Sequence, residues 1–318
     1  MSDAKISAGC LCGEVRWELD LPLRPPGEAS AGGLESLLLM SHCHCSRCRK
    51  AHGSPFATFV TSRAERFRLL QGRESMASHE SSPGTFRSFC GRCGSVVPDG
   101  AAWQGWVGLP AGPFDGDLGV RPACHLFAAS RAPWDEIHDD LPRFDAYPPG
   151  FPGTALADRP FPETARSKPP GDEAEGGDGT RTQEGPRGSC LCGQVTYRIP
   201  GPVIRSRTCH CSRCRKACSA AHVSYLVTGL DGVEYLSGEP LLVRYKVPEA
   251  RYFQQVFCRA CGSSLPRKDM DRQITVVPMG TLDDDPGVRP GSRIFVGSRA
   301  PWDIITDALP RFDEAPPG

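Results

Sequence analysis

Seven cysteines occur twice in this chain, in the same order and at nearly the same spacing. Gly9-Cys10-Leu11-Cys12-Gly13, Cys43-His44-Cys45-Ser46-Arg47-Cys48 and Phe89-Cys90-Gly91-Arg92-Cys93-Gly94-Ser95 return as Cys190-Leu191-Cys192-Gly193, Cys209-His210-Cys211-Ser212-Arg213-Cys214 and Phe257-Cys258-Arg259-Ala260-Cys261-Gly262-Ser263. Cys-x-Cys and Cys-x-x-Cys clusters in a reducing compartment read as metal ligands rather than disulfides. Each copy therefore supplies four thiols for one tetrahedral zinc and three that leave a second zinc one ligand short. A closed zinc site holds a fold together, whereas one with an open position can take part in chemistry.

The repetition continues beyond the cysteines. Ser130-Arg131-Ala132-Pro133-Trp134-Asp135 reappears as Ser298-Arg299-Ala300-Pro301-Trp302-Asp303, and Leu141-Pro142-Arg143-Phe144-Asp145 as Leu309-Pro310-Arg311-Phe312-Asp313. A unit this long is a whole domain rather than a solenoid repeat of about 20 to 50 residues. The expected organisation is a first zinc-binding module over 1–145, a Pro/Gly-rich flexible linker over 146–187 and a second module over 188–318. Pro25 to Gly33 has no counterpart in the second copy and is expected to be a loop inserted in a β-hairpin.

Acidic and basic residues balance at 37 each, so no global field favours nucleic acid or an anionic membrane surface. The first residues lack an apolar signal core, and no apolar run approaches the ~20 residues of a membrane span. A soluble, cytoplasmic protein is the expectation. Val15, Trp17 and Leu19 alternate with Glu14, Arg16, Glu18 and Asp20, as Val195, Tyr197 and Ile199 do in the second copy. That period of two predicts half-buried strands. Phe56–Val60 and Val223–Val227 also read as strands, and only 46–51 and 212–217 suggest helical turns. The fold class is mainly β.

In a strand, residues i and i+2 face one way. Cys10 with Cys12, and Cys190 with Cys192, thus each form half a site. The Cys90/Cys93 and Cys258/Cys261 knuckles are the best donors of the other half. Cys43, Cys45 and Cys48, and their counterparts Cys209, Cys211 and Cys214, can each wrap one face of a second ion. Candidates to close that second site are Cys124, His42 or His125 in copy one and Cys218 or His222 in copy two. Cys124 aligns with Ser292 and Cys218 with His52, so these candidates do not correspond, which favours an open fourth position.

Taken together, these motifs, with Arg49-Lys50, Gly53-Ser54-Pro55-Phe56 and Ala132-Pro133-Trp134, resemble the glutathione-dependent formaldehyde-activating enzyme family, which also includes the centromere protein V domain. The resemblance covers nearly everything outside the linker in both copies. It implies two tandem Mss4-like zinc-binding β modules and carbon-sulfur lyase activity, with Zn²⁺ as cofactor at two ions per module and four in total. It assigns Cys10, Cys12, Cys90 and Cys93, and Cys190, Cys192, Cys258 and Cys261, to structural zinc. The catalytic-type zinc falls to Cys43, Cys45 and Cys48 and to Cys209, Cys211 and Cys214. The implied partners are a small thiol such as glutathione and a small aldehyde.

Three thiolates leave Zn²⁺ with a net charge near minus one, a weaker Lewis acid than a tris-histidine site and better suited to holding a thiol as its nucleophilic thiolate. Arg47, Arg49 and Lys50 are candidate holders of glutathione carboxylates, with a solvated face as the equal alternative. Gly53 is a candidate for close backbone approach to a ligand. His125 is a candidate proton carrier or a buried structural histidine, and its counterpart is Arg293. Trp134 and Trp302 are expected as core anchors, and Asp115 and Asp283 as turn residues. Copy two replaces Gly53 to Phe56 with Ser219-Ala220-Ala221-His222, so copy one is the expected active module. The alternative class is a non-catalytic zinc-stabilised binding module, either an adduct carrier or a chromatin or protein interaction domain.

Overall fold

The computed structural model describes residues 4–21, 40–102, 105–148 and 185–316. The expected inserted loop at 25–33, and 149–184 of the expected linker, lie outside the described residues.

Each copy is built from small sheets joined at their corners by cysteines. In copy one, Lys5–Gly9, Arg16–Asp20 and Phe67–Gln71 form one antiparallel sheet. Its register sets Ala8 opposite Trp17 and Ile6 opposite Leu19, so the apolar alternation read in the sequence becomes one buried face. On the other face Arg68 bonds Glu18 and Asp20, an exposed network worth little to stability.

A five-stranded mixed sheet runs in the order Arg143–Phe144, His125–Leu126, Met40–Cys43, Ala57–Arg63, Trp106–Pro110. Met76–Ser82, Thr85–Cys90 and Val96–Val97 make the third. Copy two repeats the plan with a six-stranded central sheet containing Val203–Cys209, Val223–Gly229 and Ile274–Pro278. The helices are Ser46–His52 and Ser212–Cys218, each one turn longer at most than a Cys-x-x-Cys arc. Cys45 and Cys211 cap them, each accepting from the backbone N–H three residues on.

The copies interlock across a pseudo-two-fold axis. Trp302, fully buried, sits in the copy-one core with Trp17, Leu19, Leu109 and Phe114, while Trp134 sits in the copy-two core with Tyr197, Ile199 and Leu226. The tryptophans are core anchors, but each anchors the other copy. Gly94 and Gly262 show why glycine stands in both knuckles. Their φ values are 76° and 75°, and a Cβ on either would lie 2.5 Å from the ring of Phe257 or Phe89 of the opposite copy. Lys50 pairs with Asp283 and Lys216 with Asp115 across the same axis, at 2.5 and 2.6 Å.

Candidate metal centres and the cavity between the repeats

The Cys-x-Cys turn follows the first strand of each copy, and the knuckle ends the strand Thr85–Cys90 or Gln254–Cys258. Cys10, Cys12, Cys90 and Cys93 converge so that all four sulfurs lie within 4.8 Å of one another, and Cys190, Cys192, Cys258 and Cys261 do the same. Separations of 3.4 Å for Cys10–Cys12 and 3.7 Å for Cys12–Cys90, and of 3.3 and 3.8 Å for the copy-two equivalents, recur in both copies. Sulfurs placed tetrahedrally at about 2.3 Å from one zinc lie about 3.8 Å apart, so the donor set fits the ion. Ser95 and Ser263 close the turns by accepting from the Leu11 and Leu191 N–H groups.

Cys43, Cys45 and Cys48 form a second, three-thiol cluster, as do Cys209, Cys211 and Cys214. In copy one, hydrogen bonds from Cys43 and Cys48 hold the Cys45 thiol well below its ordinary range, while Cys45 pushes Cys43 up. Ionising all three thiols at this spacing would call for a cation between them. Among the described residues no fourth side chain joins either cluster. His42 Nδ1 is engaged with Thr58 Oγ1 at 2.9 Å, His125 with His44 and Asp139, and Cys218 with Ser264. Cys124 is not part of the cluster, and burial raises its thiol to about 11. His222 turns toward His210, with ring centroids 4.9 Å apart.

A family model described as glutathione-dependent formaldehyde-activating enzyme matches residues 5–130 and 186–298, well over half of the chain. The chain belongs to this family. A comparison with curated proteins gives no match. Among solved structures, a crystal structure of a Rhodobacter sphaeroides protein matches at 22% identity with a TM-score of 0.27, covering 33% of this chain and 97% of that one.

The three-cysteine cluster of copy one lies beside residues that sequence reasoning passed over. Arg87, from the strand Thr85–Cys90, donates through Nη2 to Cys48 Sγ at 3.4 Å and through Nε to Ser81 Oγ at 3.1 Å. Burial works against its charge, but Cys48 and Cys45 more than offset that and keep the guanidinium protonated. Phe127 and Tyr147 stack edge to face at 5.0 Å, and Phe127 packs on the cluster. Phe127 and its counterpart Phe295 hold left-handed backbone at φ 56° and 55°. A bulky residue there stores about 1–3 kcal/mol of strain. Only a turn pattern in an alignment of the two copies would have pointed to them.

Of the residues offered as glutathione holders, Lys50 and Gly53 meet other parts of the chain in this structure. Lys50 bonds Asp283 and Ser189, and Gly53 ends its helix in the left-handed region with a Cβ position 2.8 Å from Ser264. Copy two keeps that same helix end with Ser219 at φ 53°, whose hydroxyl donates to Val96 O at 2.6 Å. Arg49 is deeply placed, and burial lowers its pKa, with Cys45 and Asp135 favouring its charge. Asp115 and Asp283 form the inter-repeat ion pairs described above. Arg47 remains on the helix surface with partial exposure.

His44 points away from the cysteines that flank it, as strand alternation requires, into a cavity of about 420 Å³ between the copies. His42, His125, Asp135 and Asp139 line one side, and Thr208, Arg293, Asp303 and Asp307 the other. His125 Nε2 lies 2.9 Å from Asp139 and its Nδ1 lies 2.8 Å from His44 Nε2. A neutral His125 donating to that carboxylate accepts from His44 Nε2–H. His44 Nδ1 is then a bare acceptor, 3.7 Å from Asp135 Oδ2.

Burial raises the Asp135 carboxyl to about 7, so a proton there suits that acceptor, and burial lowers His44 to about 3. Copy two is wired in the opposite sense. Arg293, a donor only, faces His210 Nε2 at 3.0 Å, and His210 Nδ1–H donates to Asp303 at 2.8 Å.

Proposed function

We propose that this chain is a zinc-dependent carbon-sulfur lyase type enzyme that adds a thiol, glutathione being the first candidate, to formaldehyde or a related small carbonyl, and catalyses the reverse. The observation that carries this reading is the pairing, in a chain of the formaldehyde-activating family, of a four-thiol cluster with a three-thiol cluster that no fourth described side chain completes. Zinc bound at Cys43, Cys45 and Cys48 would lower the pKa of a thiol presented at its fourth position.

The chain's own residues do the rest. Cys45 fixes the start of helix Ser46–His52 with the sulfur it also offers as ligand. Strand Met40–Cys43 holds Cys43 beside Leu126, with His125 in register with His42. In the forward direction the thiolate sulfur forms a bond to the carbonyl carbon, the C=O π pair moves to oxygen, and that oxygen takes one proton; the reverse returns proton, thiolate and aldehyde. His125 and its partner Asp139 lie on the cavity face of strand Met40–Cys43, opposite the thiols, so in this reading the oxygen takes its proton from solvent rather than from His125. A reducing, cytoplasmic setting suits sixteen free cysteines.

Native mass spectrometry of the full chain tests this. Four zincs, a glutathione adduct and loss of that adduct on Cys45→Ala are expected. Two tightly held zincs with no thiol bound would favour the non-catalytic binding module instead.

A further inference from the structure

Resting on that reading, we propose that Arg87 determines which of the two three-cysteine centres accepts an anionic sulfur, so that copy one binds a thiolate and copy two does not. The two centres present the same thiols on the same strand-helix frame. They differ in the charge that touches a sulfur: among the described residues a guanidinium bonds a thiol only in copy one. Three thiolates on Zn²⁺ carry a net charge near minus one. With Arg87 Nη2 on Cys48 Sγ the centre and its neighbour sum to zero before a ligand arrives, and the incoming thiolate adds the first unbalanced charge. The guanidinium cannot drift from that position, because Ser81 Oγ takes its Nε–H and the strand carrying it runs into Cys90 of the four-thiol cluster.

At the aligned position in copy two stands Gln255. It is neutral and turned away, its Nε2 donating to Ser264 Oγ at 2.5 Å. Among the described residues no side chain other than the thiols themselves donates to the sulfurs of Cys209, Cys211 or Cys214, which are met instead by backbone N–H groups such as that of Cys214. That cluster packs instead with Ile294, Tyr225, Phe253, Phe295 and Phe312, and the nearby Arg267 guanidinium lies over the Phe253 ring at 5.6 Å rather than on a sulfur. Apolar surroundings penalise an added anion, and here it would be the second unbalanced charge on one ion.

The test is a glutathione titration of the full chain with Co²⁺ replacing zinc, read in the sulfur-to-cobalt charge-transfer absorption, which reports ligation rather than turnover. Wild type is expected to bind one equivalent, and Arg87→Gln, holding four metals, to bind at least about tenfold more weakly, as befits loss of a charge-assisted contact. Equal binding by Arg87→Gln, or two equal equivalents in wild type, would overturn the proposal while leaving thiol addition intact. No binding by wild type would instead sink the thiol-addition reading itself, and this proposal with it. If Arg87→Gln sheds metal, Arg87→Lys decides: retained binding supports a role for the charge, and binding lost with four metals in place overturns it.

Discussion

Replacing Trp302 with alanine should destabilise copy one, although the residue belongs to copy two. Trp302 is fully buried in the cluster that contains Trp17, Leu109 and Phe114. A tryptophan that buries about 200 Å² contributes about 5 kcal/mol at 25 cal/mol per Å². Its Nε1–H is buried without a hydrogen-bond partner, which costs about 1–3 kcal/mol. The net loss in Trp302→Ala is then about 2–4 kcal/mol, and Trp302→Phe, which keeps most of the ring and removes the unpaired donor, should cost under about 1.5 kcal/mol. Urea denaturation of the zinc-loaded chain, followed by fluorescence and far-UV dichroism, should show one transition whose midpoint falls for the alanine variant and hardly moves for the phenylalanine variant. Trp134→Ala should behave likewise. Two separate transitions, with Trp302→Ala shifting only one of them and leaving the Cys10-side metal undisturbed, would refute the exchange of core anchors.

Cys258→Ser should remove one zinc and unfold the chain, since structural zinc contributes about 10–16 kcal/mol against a total stability of about 5–15 kcal/mol; metal content by mass and dichroism check both. Gly94→Ala combines a positive φ of 76° with a Cβ 2.5 Å from the Phe257 ring, and a loss of about 2 kcal/mol or more by urea denaturation is expected. Two groups give opposite pH slopes. Burial raises Asp135 from 3.8 to about 7, so the folded state keeps a proton the unfolded chain has lost, and stability falls as pH climbs between those values. Burial lowers His52 from 6.5 to about 4, so its contribution is present above 6.5 and is lost as pH falls toward 4. Urea midpoints across pH 4–8 should lose the first slope in Asp135→Asn and the second in His52→Gln.

Much of the metal architecture was legible in the sequence because thiol spacing encodes it. Cys-x-Cys on a strand and Cys-x-x-Cys at a turn leave few ways to fill a tetrahedron, and the four-thiol clusters assemble as that logic requires. The alternation around Trp17 and Tyr197 likewise became buried strand faces. What spacing does not encode is which surface each apolar residue meets. Trp134 and Trp302 read as core anchors, yet nothing local says that each enters the other copy. Arg87 lies three residues before Cys90 in an ordinary strand pattern, and only the fold carries it to Cys48. Gly53 read as a place for a ligand to approach the backbone, but what approaches it is Ser264.

The interlocking also explains how the copies can be unequal in chemistry and equal in structure. Copy two has Arg293 where copy one has His125 and Gln255 where copy one has Arg87, so its cavity face and its three-thiol cluster are both wired differently. It nevertheless keeps all seven thiols. Those thiols still have work to do for copy one. Cys211 caps helix Ser212–Cys218, whose far end receives His52 at the Cys218 carbonyl and sends the Ser219 hydroxyl to Val96. Cys258 and Cys261 position Phe257 over Gly94, and Trp302 fills the copy-one core. Retaining the second set of ligands is therefore a requirement of the first repeat's fold, and an intact three-cysteine motif in copy two does not by itself imply a second working site.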